Sequence, residues 1–350
     1  MTEPTVKSYA RETALATSII AVFALLLGLF VARVVFMPIV LALTLTTVFR
    51  PLVRRLEDVR VPAVVGAPLV VVTALVLLTV TVRLLAPSVS SFVSMVPTAL
   101  TEARTRLSAQ PEPMGSIGRA IPVLGASRTP NTSGRPTLDV GGIAVRLFGT
   151  ATELISTGLQ TALLLIFFLA GGDKWRTRRR SRTHEFAREL VQVGDAAQSA
   201  VSRYLVMTAL ISFGQAVLVT LAAWALGLPS PLIWGVLTFI AEFLPYVGGF
   251  AMVALLLLVG LAASQGIGHA LLGPAAYLLI TTVQNNVVSP IVYGRGLELN
   301  PAAILVSVII WLFLWGVVGA FLAVPILAII KIVCDRGGGA LEPIGELIAG

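Results

Sequence analysis

At 350 residues, 57% hydrophobic and 12% charged, with a mean hydropathy of +0.94, the chain lies outside the composition of soluble globular domains and reads as a polytopic membrane protein. Its net charge of +8 does not point to nucleic acid: the basic residues border apolar runs without aromatic interleaving, the pattern of cytoplasmic anchors under the positive-inside rule. One cysteine, Cys334, and two histidines, His184 and His269, argue against a disulfide framework and a histidine-rich metal centre, so no cofactor and no metal are expected.

Residues 1–13 are polar, and an apolar run then extends from Ala14 to Phe49, broken only by Arg33 and Pro38. As one helix it would be about 54 Å long, too long for a hydrocarbon core of roughly 30 Å. Two helices forming a hairpin are therefore expected, with the break near Arg33–Pro38 and Arg33 snorkelling to an interface. Arg50, Arg54, Arg55 and Arg60 read as a first basic loop in the cytoplasm. The next span, Pro62 to about Leu85, crosses outward. Over 87–106, Val89, Phe92, Val93, Val96 and Leu100 recur at helical spacing, which predicts an amphipathic helix on the membrane. Residues 108–139, rich in Pro, Gly, Ser and Thr, read as a loop, and Asn131-Thr132-Ser133 within it matches a glycosylation acceptor, a pattern common by chance.

The run from Ile143 to Ala170 is expected to end at Gly171-Gly172 and to cross inward. Asp173–Arg188, directly after it, holds seven Lys or Arg residues against two acids, the strongest orientation signal in the chain. Residues 185–203 predict an amphipathic cytoplasmic helix leading into a span from Ser202 to Leu226. These divisions predict N-terminal transmembrane helices over 1–86, an extracytoplasmic amphipathic helix and loop over 87–142, and a C-terminal transmembrane domain over 143–350 with a basic cytoplasmic segment at 173–203.

Three long apolar segments follow, each interrupted. Leu232 to Ala263 carries Glu242, Pro245, Gly248 and Gly249 near its middle. Leu271 to Val288 carries Gln284, Asn285 and Asn286 near its end, followed by Ser289 and the helix breaker Pro290. Pro301 to Ile330 is uncharged and divided by Gly316 and Gly319 beside Trp311 and Trp315. Broken helices free backbone groups at depth, which is tolerated where they line a cavity, and secondary transporters build sites from them. The fold class is therefore an all-α polytopic membrane protein of about seven to eight transmembrane or half-membrane helices, some broken or paired as hairpins.

Glu242 is the one acid between Asp195 and Glu298, flanked by Phe239, Ile240, Phe243 and Leu244. A carboxyl at such depth suits proton or cation coupling; the alternative is a structural acid bonded to a helix end or an arginine. Gln284, Asn285, Asn286 and Ser289 supply amide oxygens and a hydroxyl, which suit hard cations or hydroxyl-rich solutes and equally bond between helices. Pro245, Gly248, Gly249, Pro290, Gly316 and Gly319 read as backbone-break or gating positions. No His-Glu-x-x-His, Gly-x-Ser-x-Gly or phosphate-binding glycine loop is present, so no catalytic residue and no enzymatic activity are expected.

The Leu244-Pro-Tyr-Val-Gly-Gly249 run, Asn285-Asn-x-x-Ser-Pro290, Gly294-Arg-Gly-Leu-Glu-Leu-Asn-Pro301 and Trp315-Gly-Val-Val-Gly-Ala-Phe-Leu-Ala-Val-Pro325 resemble, in order and spacing, the autoinducer-2 exporter (AI-2E) family of bacterial membrane proteins. The resemblance covers most of the chain and is weakest over 87–150. It implies a multi-pass permease of the bacterial inner membrane, with members associated with export of a quorum-sensing furanone or with sodium–proton antiport, and with homo-oligomers. Gln284 stands where a glutamate commonly precedes the Asn-Asn pair, which weakens an antiport reading that needs two carboxylates. The expectation is a secondary transporter or exporter of a small polar solute or cation, coupled to a proton or sodium gradient. The alternative is a passive pore or oligomeric membrane scaffold. Both termini are expected in the cytoplasm, the lipid bilayer and further copies of the chain are the expected partners, and Gly260, Ala262, Ala263, Gly266 and Gly268 are expected to let helices of neighbouring subunits approach.

Overall fold

The computed structural model describes residues 3–108, 151–180, 185–263, 266–293, 299–337 and 342–349. Helix α1 (Glu3–Val31) is followed by α2 (Arg33–Asp58), α3 (Ala63–Ser108), α4 (Ala151–Arg180) and α5 (Glu185–Ala225). Then come α6 (Pro231–Ala241), α7 (Val247–Ala263), α8 (Ile267–Ala270), α9 (Leu272–Val283), a π-helix (Gln284–Val288), α10 (Ser289–Tyr293), α11 (Pro301–Gly337) and α12 (Glu342–Ile348). The described residues contain no strand beyond an isolated bridge between Leu299 and Ala349. Among them, five helical stretches are long and apolar enough to cross a membrane: Arg33–Asp58, Ala63–Ser88, Thr152–Gly171, Gln192–Ala225 and Pro301–Arg336. Large apolar side chains such as Phe23, Leu84, Phe167, Trp224, Phe250 and Phe313 are exposed on the outside, as a lipid solvent demands.

The first apolar run does divide, but at Ala32, and by a kink. Ala32 alone leaves helical torsions (φ −90°, ψ 21°), and its N–H still donates to Gly28 O while its own carbonyl accepts from Phe36 N–H. A joint bridged by helical bonds bends an axis without reversing it, so the expected hairpin over 14–49 is replaced by two helices in a bent line. Arg33 is exposed, with its guanidinium carbon 5.8 Å from the Phe30 ring centre. Pro38 and Pro51 lie inside α2, and the expected basic loop at 50–60 is largely its last turns. Arg50 is buried there and donates from Nη1 to Leu169 O at 3.3 Å, tying α2 to α4.

Two further boundaries fall inside helices. The stretch 87–106 is helical, as its spacing predicts, yet continuous with the preceding span in one helix of 46 residues. Helix α4 likewise runs past Gly171-Gly172 to Arg180. The loop at 109–139, the glycosylation triplet and most of the 294–301 motif lie outside the described residues.

One core joins Ala42 and Val53 of α2, Ala67, Val70 and Val71 of α3, and Leu165 and Leu169 of α4. A second joins Val219 and Ala223 of α5, Trp234 of α6, Met252, Leu256 and Val259 of α7, and Tyr277 of α9. Helix α5 links them, contacting α2 on one side and α6, α9 and α11 on the other. Gly260 is spent on internal packing, since a side chain there would meet the backbone of Ala270.

The interrupted segments are where the sequence placed their breaks. Helices α6 and α7 form a hairpin whose turn is Glu242–Tyr246, with Tyr246 at φ 63°. Gly248 is required at the turn because a Cβ there would run into Ala241 O. Helix α11 is likewise two arms. Trp315 (φ −130°, ψ 16°) and Gly316 (φ 64°, ψ −147°) leave helical torsions, and Ser307 Oγ donates to Ala323 O at 2.9 Å across the fold. The arms differ in length: 301–314 rises about 21 Å and 317–337 about 31 Å. Trp315 anchors the tip by donating from its indole to Leu29 O of α1 at 3.1 Å.

Candidate functional site

Three elements converge on the tip of the α6–α7 hairpin. Glu242 is carried there as the residue following α6, its N–H still bonded to Thr238 O at 3.1 Å, so the carboxylate projects from a fixed helix end. Gln284 opens the π-helix. It is 8% exposed, and its Nε2 donates to Glu242 Oε2 at 3.3 Å and to Ser289 Oγ at 3.5 Å. Gln215, in the C-terminal third of α5 and 2% exposed, donates from Nε2 to Thr281 Oγ1 at 3.0 Å and also lies alongside the Glu242 carboxylate. Tyr277 Oη is buried near Thr281 without closing a bond of good geometry.

The π-helix sets this arrangement. Pro290 has no N–H to offer and its ring crowds the carbonyl four residues back, so the turn before it widens. Ser289 N–H accordingly donates to Gln284 O, five residues back. Pro290 therefore does not end the helix, as its sequence position predicts; it sits inside α10 and distorts the turn that carries Gln284 and Ser289. Consecutive residues of a helix point about 100° apart, so the three amides do not act together. Gln284 is buried toward Glu242, whereas Asn285 and Asn286 are exposed, and Asn286 Nδ2 returns to Thr282 O at 2.8 Å.

The backbone-break positions distribute over both hairpins. Pro245, Gly248 and Gly249 shape the first tip, and Gly316 the second; Gly319 is buried against Trp311, where a side chain would meet Trp311 O. The first tip packs along the arms of the second hairpin. Phe243 lies 5.5 Å, ring to ring, from Phe321, Leu244 packs beside Val308, Ala320 and Ala323, and Tyr246 Oη donates to Pro301 O at 3.4 Å.

Glu242, Gln284 and Ser289 are thus brought together, and Gln215, Thr281 and Tyr277 join them. The last three carry a readable signal in part: Thr208, Ser212 and Gln215 are buried polar residues at i, i+4 and i+7, a polar stripe on an otherwise apolar helix. Two buried acceptors stand out, Gln215 Oε1 and Gln284 Oε1, neither with a hydrogen-bond partner. An unsatisfied buried carbonyl costs about 1–3 kcal/mol, so two of them beside one carboxylate mark a place where stability is given up. The described residues hold no group of three or more His, Cys, Asp or Glu, so this chemistry is carboxylate, amide and hydroxyl.

Residues 19–337 match the family model described as AI-2E family transporter. The chain belongs to the AI-2E transporter family. The match covers both hairpins and the Glu242 cluster, and the membrane helices are those of a transporter family. The chain is similar to YhhT of Escherichia coli (strain K12), 27% identical over 91% of this chain and 89% of that protein. It is 25% identical to the AI-2 transport protein TqsA of the same strain, over 90% of each. A protein of Mycobacterium tuberculosis (strain CDC 1551 / Oshkosh), MT0215, is 29% identical over 88% of this chain and 84% of its own length.

Proposed function

We propose that this membrane transporter is a secondary carrier that moves a small polar solute or cation across the bacterial inner membrane along a path through the Glu242, Gln284 and Ser289 cluster, coupled to a proton or sodium gradient. The observation that carries this reading is the cluster itself: an acid, two glutamines and hydroxyls from three helices meet where a hairpin turn and a π-helix interrupt apolar segments. Polar groups and irregular backbone at that depth are costly unless they serve a pathway. The two packed hairpins, with Pro245 and Gly316 in their turns and Gly248 and Gly249 at the start of α7, are the elements whose movement would open it. The name of TqsA, an AI-2 transport protein, supports a small polar solute as cargo. No enzymatic role is proposed.

Asn285 and Asn286, exposed on an apolar helix, would be poorly solvated by lipid, which supports a homo-oligomer in which they face a neighbouring subunit. A cytoplasmic face for the basic stretch 173–188 is supported by its charge, and a cytoplasmic C-terminus by the reversal within 301–337; the bent line of α1 and α2 removes the hairpin on which a cytoplasmic N-terminus rested. Flux in proteoliposomes, with and without imposed proton and sodium gradients, tests the reading. Gradient-independent, non-saturable leakage would instead identify a passive pore.

A further inference from the structure

We propose that α12 is a strap that ties the bases of the two α11 arms together and holds that hairpin shut, so that undocking of α12 sets how readily the arms part. The matched family residues end at 337, and α12 lies beyond them. The strap's action does not depend on the solute or on how its movement is coupled.

The two arms end at different depths. Counted away from the turn, starting at the Ser307–Ala323 bond, Pro301 is level with Ile329, so Cys334 and Asp335 overhang the base of the first arm by about 8 Å. Helix α12 fills that step and touches both sides of it. On the longer arm Gly345 is buried against Cys334 and the Asp335 side chain, where an added Cβ would lie 2.9 Å from Asp335 Oδ1. On the shorter arm Leu299 and Ala349 form an antiparallel bridge, and Asn300 N–H donates to Ile348 O at 2.9 Å. Ile348 and Cys334 are 6% and 5% exposed, so the joint excludes solvent.

Asn300 carries this contact to the rest of the molecule. Its Oδ1 accepts from Ala302 N–H at 2.9 Å and its carbonyl from Ile304 N–H at 3.0 Å, so it is the cap that begins the first arm. The next residue, Pro301, offers the carbonyl to which Tyr246 of the α6–α7 turn donates. Strap, first arm and α6–α7 hairpin therefore meet over two residues. A helix of seven residues is not stable by itself in water, so α12 keeps its form only while docked. Docked and released are thus two discrete states, and release frees the Asn300 cap while the membrane cores stay packed.

The test uses the full chain in a Cys334→Ser background carrying Ser307→Cys. Ser307 is 7% exposed between the arms, so the rate at which a thiol there reacts with N-ethylmaleimide, followed by peptide mass spectrometry, reports how often the arms part. Adding Leu299→Cys and Ala349→Cys sets two thiols on directly opposed residues of an antiparallel bridge, close enough to form a disulfide on mild oxidation. Position 307 should label about tenfold or more slowly in the oxidised protein than in the reduced one, and about tenfold faster in Gly345→Leu, which wedges α12 off Asp335; this is the scale of one lost hydrogen bond with its buried contacts. Equal labelling in the oxidised, reduced and Gly345→Leu proteins overturns the proposal, as does failure of the 299–349 disulfide to form. If Gly345→Leu does not fold, the oxidised and reduced pair decides alone. Labelling that follows the strap without flux of any solute would remove the transport reading and leave the strap standing; gradient-driven flux with labelling indifferent to the strap would do the reverse.

Discussion

Ser307 Oγ donates to the carbonyl of Ala323 at 2.9 Å, although the two residues are 16 apart in one uncharged stretch. That bond is possible because Trp315 and Gly316 reverse the chain between them. Gly316, at φ 64° and ψ −147°, occupies a region closed to residues with a Cβ. Gly316→Ala should therefore lower stability by about 1–3 kcal/mol, read as a lower unfolding midpoint in detergent. An unchanged midpoint would show that the turn carries no such restriction.

The same reversal fixes a topology that hydropathy alone misreads. Pro301–Arg336 is long enough to cross a membrane, yet its two ends should emerge on one side. In a Cys334→Ser background, single cysteines at Leu299 and Arg336 should react with an impermeant maleimide from the same face of oriented vesicles. Labelling from opposite faces would mean a crossing helix.

Glu242→Gln should cut flux by about tenfold or more, the scale of a lost proton-transferring group, while insertion level and unfolding midpoint stay near native. Glutamine keeps the size and the hydrogen-bonding capacity and removes the titratable charge. Tyr277 is the other titratable group beside the carboxylate, so the pH profile is the discriminating measurement. Flux by the native protein should vary across neutral pH; the Gln variant should be flat, and Tyr277→Phe should keep the native shape. Native flux and profile in Glu242→Gln would remove Glu242 from coupling.

Pro290→Ala restores the missing N–H and should let the π-turn relax toward an α-turn. Replacing proline within a helix recovers up to about 3 kcal/mol, so the unfolding midpoint should rise. Flux should fall, because the register change rotates Gln284 away from Glu242. A more stable protein with native flux would show that the widened turn has no part in transport.

Much of this arrangement is legible in the sequence, for physical reasons that also mark where reading fails. Glu242, Pro245 and Gly248, and likewise Gly316, announce turns because few residues fit such backbones, and both turns lie where they point. Pro87 and Gly171-Gly172 announce breaks that do not occur. One proline or glycine costs a helix about 1–3 kcal/mol, which the many other residues of each long helix outweigh. Gln284, Asn285 and Asn286 read as one polar patch, but helical geometry turns them apart. Gln215 was missed because the stripe of Thr208, Ser212 and Gln215 does not by itself say what it faces. Its meaning depends on Thr281, 66 residues away, and on the carboxylate that both approach.

Helix α3, with its 46 residues, is about 69 Å long at 1.5 Å per residue, more than twice the roughly 30 Å of hydrocarbon. It packs against α2, α4 and α7, and the residues it gives to the first core, Ala67, Val70 and Val71, all lie near its start. A small tilt at the membrane end is magnified at Ser108. A fluorophore placed there would report the motions of the α6–α7 hairpin from outside the bilayer, on a scale that labels beside Glu242 cannot reach.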